Sequence, residues 1–456
     1  MNRFSENQKI IGGLIFLAIL SLIISKVGKV GYAWGALVFL AGIYLTVKNK
    51  NRNGEGHLFA AYIMAGEVFF RMTWSGLPWE FGKYAMVILL ILGMVFDRRK
   101  RDLPLLMIVY FMVMLVSIPL TIAYYYDPVV VRKTIIFNMF GPFSLMIATL
   151  YFYQLKITME EFKKLSRWIG YGVFSMSILV LFNVGDYASV DYGFSSNSDS
   201  SGGFSGNQIS TAFGLGVTVL GLNLVLKNRL FAYIWIDAGL FVLFIFQGLM
   251  TFSRGGMMGG MMALFAGALF FYFANIGRLI MFFKKNIYKL MLAVLVGIGA
   301  FMYANEITGG NLYARYFNVR EDGSQLKEDY STGRGDIVGG DIQLFFSSDF
   351  IGVGPGVSRK ERPTHKNFAA HVEYSRMLAE HGVLGLVSLI IMFLIPLRQF
   401  FMLLNRPENQ MIFVSFMVLS MLTMTHAAMR LGMVGFFYGM AFLIIVKQVK
   451  SKEKTK

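Results

Sequence analysis

The sequence predicts an all-α integral membrane protein: a polytopic bundle of twelve to fourteen transmembrane helices with one large extracytoplasmic loop. Three observations carry this. Of 456 residues, 56% are hydrophobic and 15% are charged, against roughly a quarter charged in soluble domains. The apolar residues gather into long runs. The basic residues alternate in step with those runs. A formal net charge of +17 carried between oily segments excludes a soluble enzyme, a nucleic-acid module and a disordered basic tail. With no cysteine, disulfides, thiolate metal sites and cysteine nucleophiles are excluded as well.

Fourteen apolar segments follow one another at about 9–26, 31–47, 57–73, 83–97, 103–126, 134–155, 166–184, 207–226, 230–250, 255–276, 287–304, 382–398, 410–429 and 431–447. The first follows a weakly basic leader and has no small-residue cleavage site, so it reads as a span, not a removed signal peptide. The third is weakened by Glu67 and Arg71, an i,i+4 pair. With the N-terminus inside, the short inner segments hold 26 Lys and Arg. The short outer loops and the spans together hold 8, and the long outer loop holds 9. The positive-inside rule therefore places both termini in the cytoplasm, with Arg98-Arg99-Lys100-Arg101 as an inner topology signal. Four regions result: an N-terminal bundle (1–184), central spans with a Ser/Gly-rich outer loop (185–304), the large loop (305–381), and C-terminal spans with a basic tail (382–456).

Two outer segments break the short-loop pattern. In 185–206, 12 of 22 residues are Ser or Gly, the composition of a flexible connector. The stretch 305–380 is long enough for small helices and a substrate site, and its Tyr, Phe and Gly-Pro elements predict order. No internal repeat is visible, which weakens an inverted-repeat transporter reading.

Charged groups at the outer boundary are the candidates for chemistry. Arg254, in Thr251-Phe252-Ser253-Arg254-Gly255-Gly256, stands where one span ends and the next begins. Gly255 and Gly256 remove bulk beside it, and an arginine at a helix start suits a phosphate. Arg334, in Ser331-Thr332-Gly333-Arg334-Gly335-Asp336, has the same glycine flanks; Arg315, Arg320, Arg359 and Arg362 compete with it. His371 opens a stretch in which Tyr374, Ser375, Leu378 and Gly382 would share its helical face, and a histidine there could accept a hydroxyl proton. His365 and His381 are weaker rivals. Arg430, beside His426, either joins the same site or snorkels to the interface. His365, His371 and Glu373 lack metal-ligand spacing, so no metal is expected. Gly352-Val353-Gly354-Pro355-Gly356 has no P-loop lysine and reads as a tight turn. Asp237 reads as an internally paired carboxylate rather than a proton relay.

Together these pieces resemble the O-antigen ligase and polymerase superfamily of bacterial envelope glycan assembly. The specific part spans about 202–386. Gly203-Phe204-Ser205-Gly206-Asn207-Gln208 is similar to the family's G-x-F-x-N-x-N opening of a span, with Gln208 near the usual second Asn. Thr251 to Gly256 matches its S-R-G-G element, and Gly352 to Gly356 its glycine turn. His371 to Gly385 resembles H-x-x-Y/F-x-x-x-L-x-E-x-G-x-x-G, with Val372 where many members carry Asn.

The resemblance implies a glycosyltransferase of the C type in the bacterial inner (cytoplasmic) membrane, working at its outer face. The implied donor is an undecaprenyl-pyrophosphate-linked glycan; the acceptor is lipid A-core for a ligase or another lipid-linked repeat unit for a polymerase. The family's two arginines and histidine map onto Arg254, Arg334 and His371. The arginines would hold the pyrophosphate and the histidine would act as base, with Arg430, Tyr374, Ser253 and Gly255 in support. Transfer would invert the anomeric centre without metal, nucleotide or other cofactor. Membrane lipids are the remaining partners, and no nucleic acid is expected. Ligase-like membership is slightly favoured. The Lys-rich end, Lys447 to Lys456, disfavours a protein O-oligosaccharyltransferase with a C-terminal soluble domain. The rival reading is a lipid-linked glycan flippase, for which only Asp237 and Glu67 speak.

Overall fold

The computed structural model describes residues 5–73, 77–97, 102–273, 276–319, 323–325, 333–368 and 370–447. The basic cluster at 98–101, Arg320 and the tail beyond Lys447 lie outside the described residues. The architecture is helical almost throughout. Eight helical stretches among the described residues are long and apolar enough to cross a membrane, and two shorter apolar helices join them. The chain is a multi-pass membrane protein.

Helices α1 (Glu6–Lys26) and α2 (Lys29–Lys48) come first. Ser5 and Gln8 close a capping box at the start of α1. Ile15, Phe16, Leu37 and Leu40 on this pair are each more than half exposed, a surface that suits lipid rather than water. The weak third segment divides into α3 (Glu55–Ala65) and α4 (Glu67–Met72) at Gly66. After α5 (Phe81–Phe96), the fifth segment breaks at Ser117 into α6 (Leu106–Leu115) and α7 (Ile118–Tyr124), where Pro119 cannot continue the hydrogen-bond ladder.

Helix α8 (Pro128–Phe152) starts on the side-chain cap of Asp127, and α9 (Met159–Val184) on a Thr158–Glu161 capping box. Then come α10 (Gly206–Val225), α11 (Ile234–Met250), α12 (Arg254–Phe273) and α13 (Ile276–Ile307). The long loop holds α14 (Asn311–Phe317), α15 (Arg334–Ser347) and α16 (Ser358–Glu361), in line with the small helices expected there. Helices α17 (Glu373–Met402), α18 (Pro407–Thr423) and α19 (Gly432–Met440) complete the bundle. The last apolar segment differs from expectation: α19 ends at Met440, and Ile444–Val446 forms a strand (β2) parallel to Lys156–Thr158 (β1). A β-branched run beside an open partner edge favours extension over another helical turn.

The Ser/Gly-rich segment 185–206 also departs from the flexible reading. It folds over the end of α11. Ser200 and Ser201 are fully buried, Ser200 Oγ donates to the Met250 carbonyl (2.5 Å), and Asn197 N–H donates to the Thr251 carbonyl (3.1 Å). A serine hydroxyl and a backbone N–H thus satisfy carbonyls that the end of α11 leaves open.

Buried ionic pairs lock the bundle. Glu67 pairs with Arg71 at 2.6 Å, and Glu80 with Lys83 at 2.7 Å. Glu67 also accepts the Gly432 N–H (2.7 Å) at the start of α19, while Arg71 donates to the Arg430 carbonyl (3.2 Å). In the long loop, Arg362 and Asp341 are both fully buried and bonded at 2.6 Å.

The glycine turn 352–356 is a splice. Helix α17 breaks at Gly382 (φ 57°, ψ −136°), where a Cβ would stand 2.1 Å from the Phe350 carbonyl oxygen. The break releases carbonyls, and Val353 N–H and Gly354 N–H donate to those of Ala379 (3.0 Å) and Glu380 (2.9 Å). The turn thereby fixes the short segment of α17 that follows His371.

Candidate active site

Helices α10 and α12 approach through glycine. A Cβ on Gly256 would come within 2.3 Å of Thr211 N, and one on Gly260 within 2.3 Å of the Gly214 carbonyl oxygen. Ser210 Oγ donates to the Ser253 carbonyl (2.7 Å) and receives the Met257 N–H (3.1 Å). Ser253 Oγ donates to Asn207 Oδ1 at 2.6 Å. The turn before Arg254 is held from the other side by Arg315, whose Nε donates to the Phe252 carbonyl (3.2 Å). Phe252 itself sits at φ 56° and stacks on Tyr192 at 5.0 Å. Arg254 is thereby presented at the first residue of α12.

Arg334 occupies the equivalent place on α15, after Gly333 in the left-handed region (φ 81°). A helix N-terminus is the positive end of the macrodipole, so both arginines stand where a cation is disfavoured and an anion is favoured. The two are also close to each other: the Arg334 guanidinium is pushed below its ordinary value by burial and by neighbouring Arg254.

His371 lies two residues before α17, not on it; Val372 is extended and forms the N-cap. The expected shared face with Tyr374 therefore does not form. Tyr374 donates its hydroxyl to the Met421 carbonyl on α18 (2.8 Å). The backbone around His371 is pinned to the turn after α18. Ala428 N–H donates to the His371 carbonyl (3.0 Å) and Glu373 N–H to the Met424 carbonyl (2.8 Å). Arg430 donates from Nη2 to the Ala370 carbonyl (2.5 Å).

The electrostatics of this pocket are one-sided. Burial, then Arg430 and Arg334, push the His371 imidazole down to about 4, against a backbone hydrogen bond with His426 that raises it. His426 is likewise held at about 4 by burial, with Arg334 and His371 adding to the effect. Arg430 falls to about 10 through burial and nearby Arg376, and Glu373 opposes that shift. Four segments far apart in sequence thus bring Arg254, Arg334, Arg430, His371 and His426 into one electrostatic unit.

His426 is the member that sequence reasoning passed over as a mere neighbour of Arg430. It joins three elements. Its Nδ1 meets the Leu422 carbonyl (3.0 Å), its Nε2 meets Thr211 Oγ1 (3.1 Å), and its ring packs where a Cβ on Gly255 would lie, 2.8 Å from Cγ. Gly255 therefore serves α12–turn packing as well as access to Arg254. Gln208, at the unusual position of the α10 motif, accepts from Arg71 Nη1 (2.8 Å). The competing loop arginines have other tasks: Arg315 holds the Phe252 turn and Arg362 pairs with Asp341. His381 bonds Ser117 Oγ (2.5 Å) inside the bundle, and His365 is exposed. Asp237 accepts the Leu230 and Phe231 N–H groups (both 2.9 Å), the internal pairing expected of it.

Comparison with known proteins follows the same residues. No curated protein matches the chain. Residues 239–390 match the family model described as O-antigen ligase, a segment that contains Arg254, Arg334 and His371. Over that segment, about a third of the chain, the protein is similar to the O-antigen ligase family.

Proposed function

We propose that the protein transfers a glycan from an undecaprenyl-pyrophosphate carrier to an acceptor hydroxyl, lipid A-core or another lipid-linked repeat unit, at the outer face of the bacterial inner membrane with both termini cytoplasmic. The observation that carries this reading is the gathering of Arg334 and Arg430 about a neutral His371, with Arg254 beside Arg334. Such a group of like charges is costly alone and is relieved by a polyanion.

Arg254 and Arg334, each at a helix N-terminus, hold the pyrophosphate. The acceptor oxygen attacks the anomeric carbon, the bond from that carbon to the phosphate oxygen breaks, and the hydroxyl proton passes to His371. The departing pyrophosphate gains negative charge, which the arginines stabilise. Burial and the arginines keep His371 unprotonated at neutral pH. Donor binding then offsets those cations and raises the imidazole's proton affinity when a base is needed. A single displacement inverts the anomeric centre, and the donor's phosphoester bond supplies the driving force. Asp237 and Glu67, the groups on which a transporter reading would rest, both accept backbone N–H groups instead.

The test is incubation of the purified protein with a lipid-linked repeat unit, with and without lipid A-core. Chain growth without core identifies a polymerase, and dependence on core identifies a ligase. Product in neither case would reject the transferase reading.

A further inference from the structure

A second recess adjoins His371 on the side of Ala370. It is a cavity of about 290 Å³, near the lower end of the ~300–1,000 Å³ typical of small-ligand sites. Its walls come from the start of α8, the end of the glycine turn, α17 and the turn 428–430. Neither Arg254 nor Arg334 lines it, so it is separate from the proposed pyrophosphate cradle.

Its floor is ionic but internally satisfied. Arg376 bonds Glu373 and Glu380 together, with Nη1 to Glu380 Oε2 at 2.5 Å. Glu373 also accepts the Met429 N–H (3.1 Å), and Glu380 accepts Ser358 Oγ (2.8 Å). Those carboxylates are therefore already engaged by cations and donors. Lys133, Arg359 and Arg430 also line the cavity, giving four basic against two acidic side chains and a net +2. Thr134 and Asn138 add neutral polar groups, and Phe137, 40% exposed, offers an aromatic face at the mouth. A polar recess of this size and sign, with one ring face, matches an anionic sugar better than a neutral sugar or a lipid tail.

We propose that this cavity is the subsite for an acidic sugar residue, carboxylate- or phosphate-bearing, of the acceptor glycan. The inference rests on His371 as the base. Lys133 and Arg359 at the rim would read the anion, while Arg430, bonded to the Ala370 carbonyl, holds the wall beside His371 so that a hydroxyl of the same glycan faces the imidazole.

The experiment measures binding of defined disaccharides to the full-length protein in lipid nanodiscs. The probes are one ending in glucuronic acid, its neutral glucose counterpart, one ending in glucose 6-phosphate, and inorganic phosphate. Acidic disaccharides should bind about tenfold more tightly than the neutral one, the scale of one charge-assisted hydrogen bond. The double variant Lys133→Gln/Arg359→Gln, altered at the exposed rim, should erase that preference and keep neutral-sugar binding as its evidence of folding. The glucuronate and phosphate arms decide which anion is read. Equal binding of acidic and neutral probes overturns the proposal. So does a preference that survives the rim variant, or one lost only with Arg334→Gln, where inorganic phosphate would compete equally well. Assaying His371→Ala in parallel separates the readings: lost transfer without acidic preference removes only the subsite, and full transfer with intact preference removes only the base.

Discussion

Two groups of buried charges divide this molecule by how they are partnered. In the first, every charge meets one of opposite sign: Glu67 with Arg71, Glu80 with Lys83, Asp341 with Arg362, and Arg376 between Glu373 and Glu380. In the second, the charges acting on Arg334 and on His371 are guanidiniums. Burial disfavours charge in both groups, and the opposite charges of the first offset that cost, whereas on Arg334 and His371 the neighbouring charges add to it. The ion-paired clusters tie the fold together, and the one-signed cluster is the one the proposed function assigns to an anionic ligand.

That contrast can be broken in several ways. The largest effect is expected at the proposed base. His371→Ala should lower transfer by about 10²–10⁴-fold in a lipid-linked donor assay while protein abundance holds. Full activity would remove the assigned role. Next come Arg254→Ala and Arg334→Ala, each costing about 3–4 kcal/mol of transition-state stabilisation, with poor rescue by lysine because the bidentate fork is lost. Arg334→Ala should leave thermal stability intact, since burial and a like charge both weigh on that guanidinium.

The ion-paired group should behave in the opposite sense. Arg362→Ala strands Asp341, already pushed up by burial, and should destabilise the fold by about 3–5 kcal/mol in a thermal or denaturant assay. An unaltered melting profile there would dissolve the distinction between the groups. A subtler change is expected from Arg430→Gln. It removes the charge that, after burial, does most to hold His371 near 4. The imidazole pKa should rise, so its neutral form is lost at a higher pH and the acidic limb of kcat/KM moves upward. The smallest effect is Asn207→Ala, which deletes the 2.6 Å bond from Ser253 and should cost about 1 kcal/mol of stability with a modest loss of activity.

Much of the fold was legible because membrane insertion is read segment by segment. Each long apolar run has a helix within it, and Pro119 and Gly66 mark the places where a run is divided. The end of the last run was not legible, since β2 exists only because β1 lies beside it. Composition misled at 185–206, where small polar residues are not a tether but caps for a neighbouring helix end. The glycines of 352–356 read correctly as a turn, yet their task, receiving carbonyls freed at Gly382, depends on contact across the fold.

The candidate site divides along the same line. Sequence alone determined the spans, the alternation of basic segments and the local settings of Arg254, Arg334 and His371, because hydropathy, helix starts and glycine flanks act over a few residues. Tertiary structure decided which charges meet. Nothing in the spacing of Arg315, Arg334, Arg359 and Arg362 tells which one finds a carboxylate and which one finds Arg254. The inclusion of His426 likewise follows from the glycine-close packing of α12 against α10 and the turn after α18. The physical reason is range: the free energy of placing a residue in lipid is nearly local, whereas the energy of a buried charge is set by whatever the rest of the chain brings within a few ångströms of it.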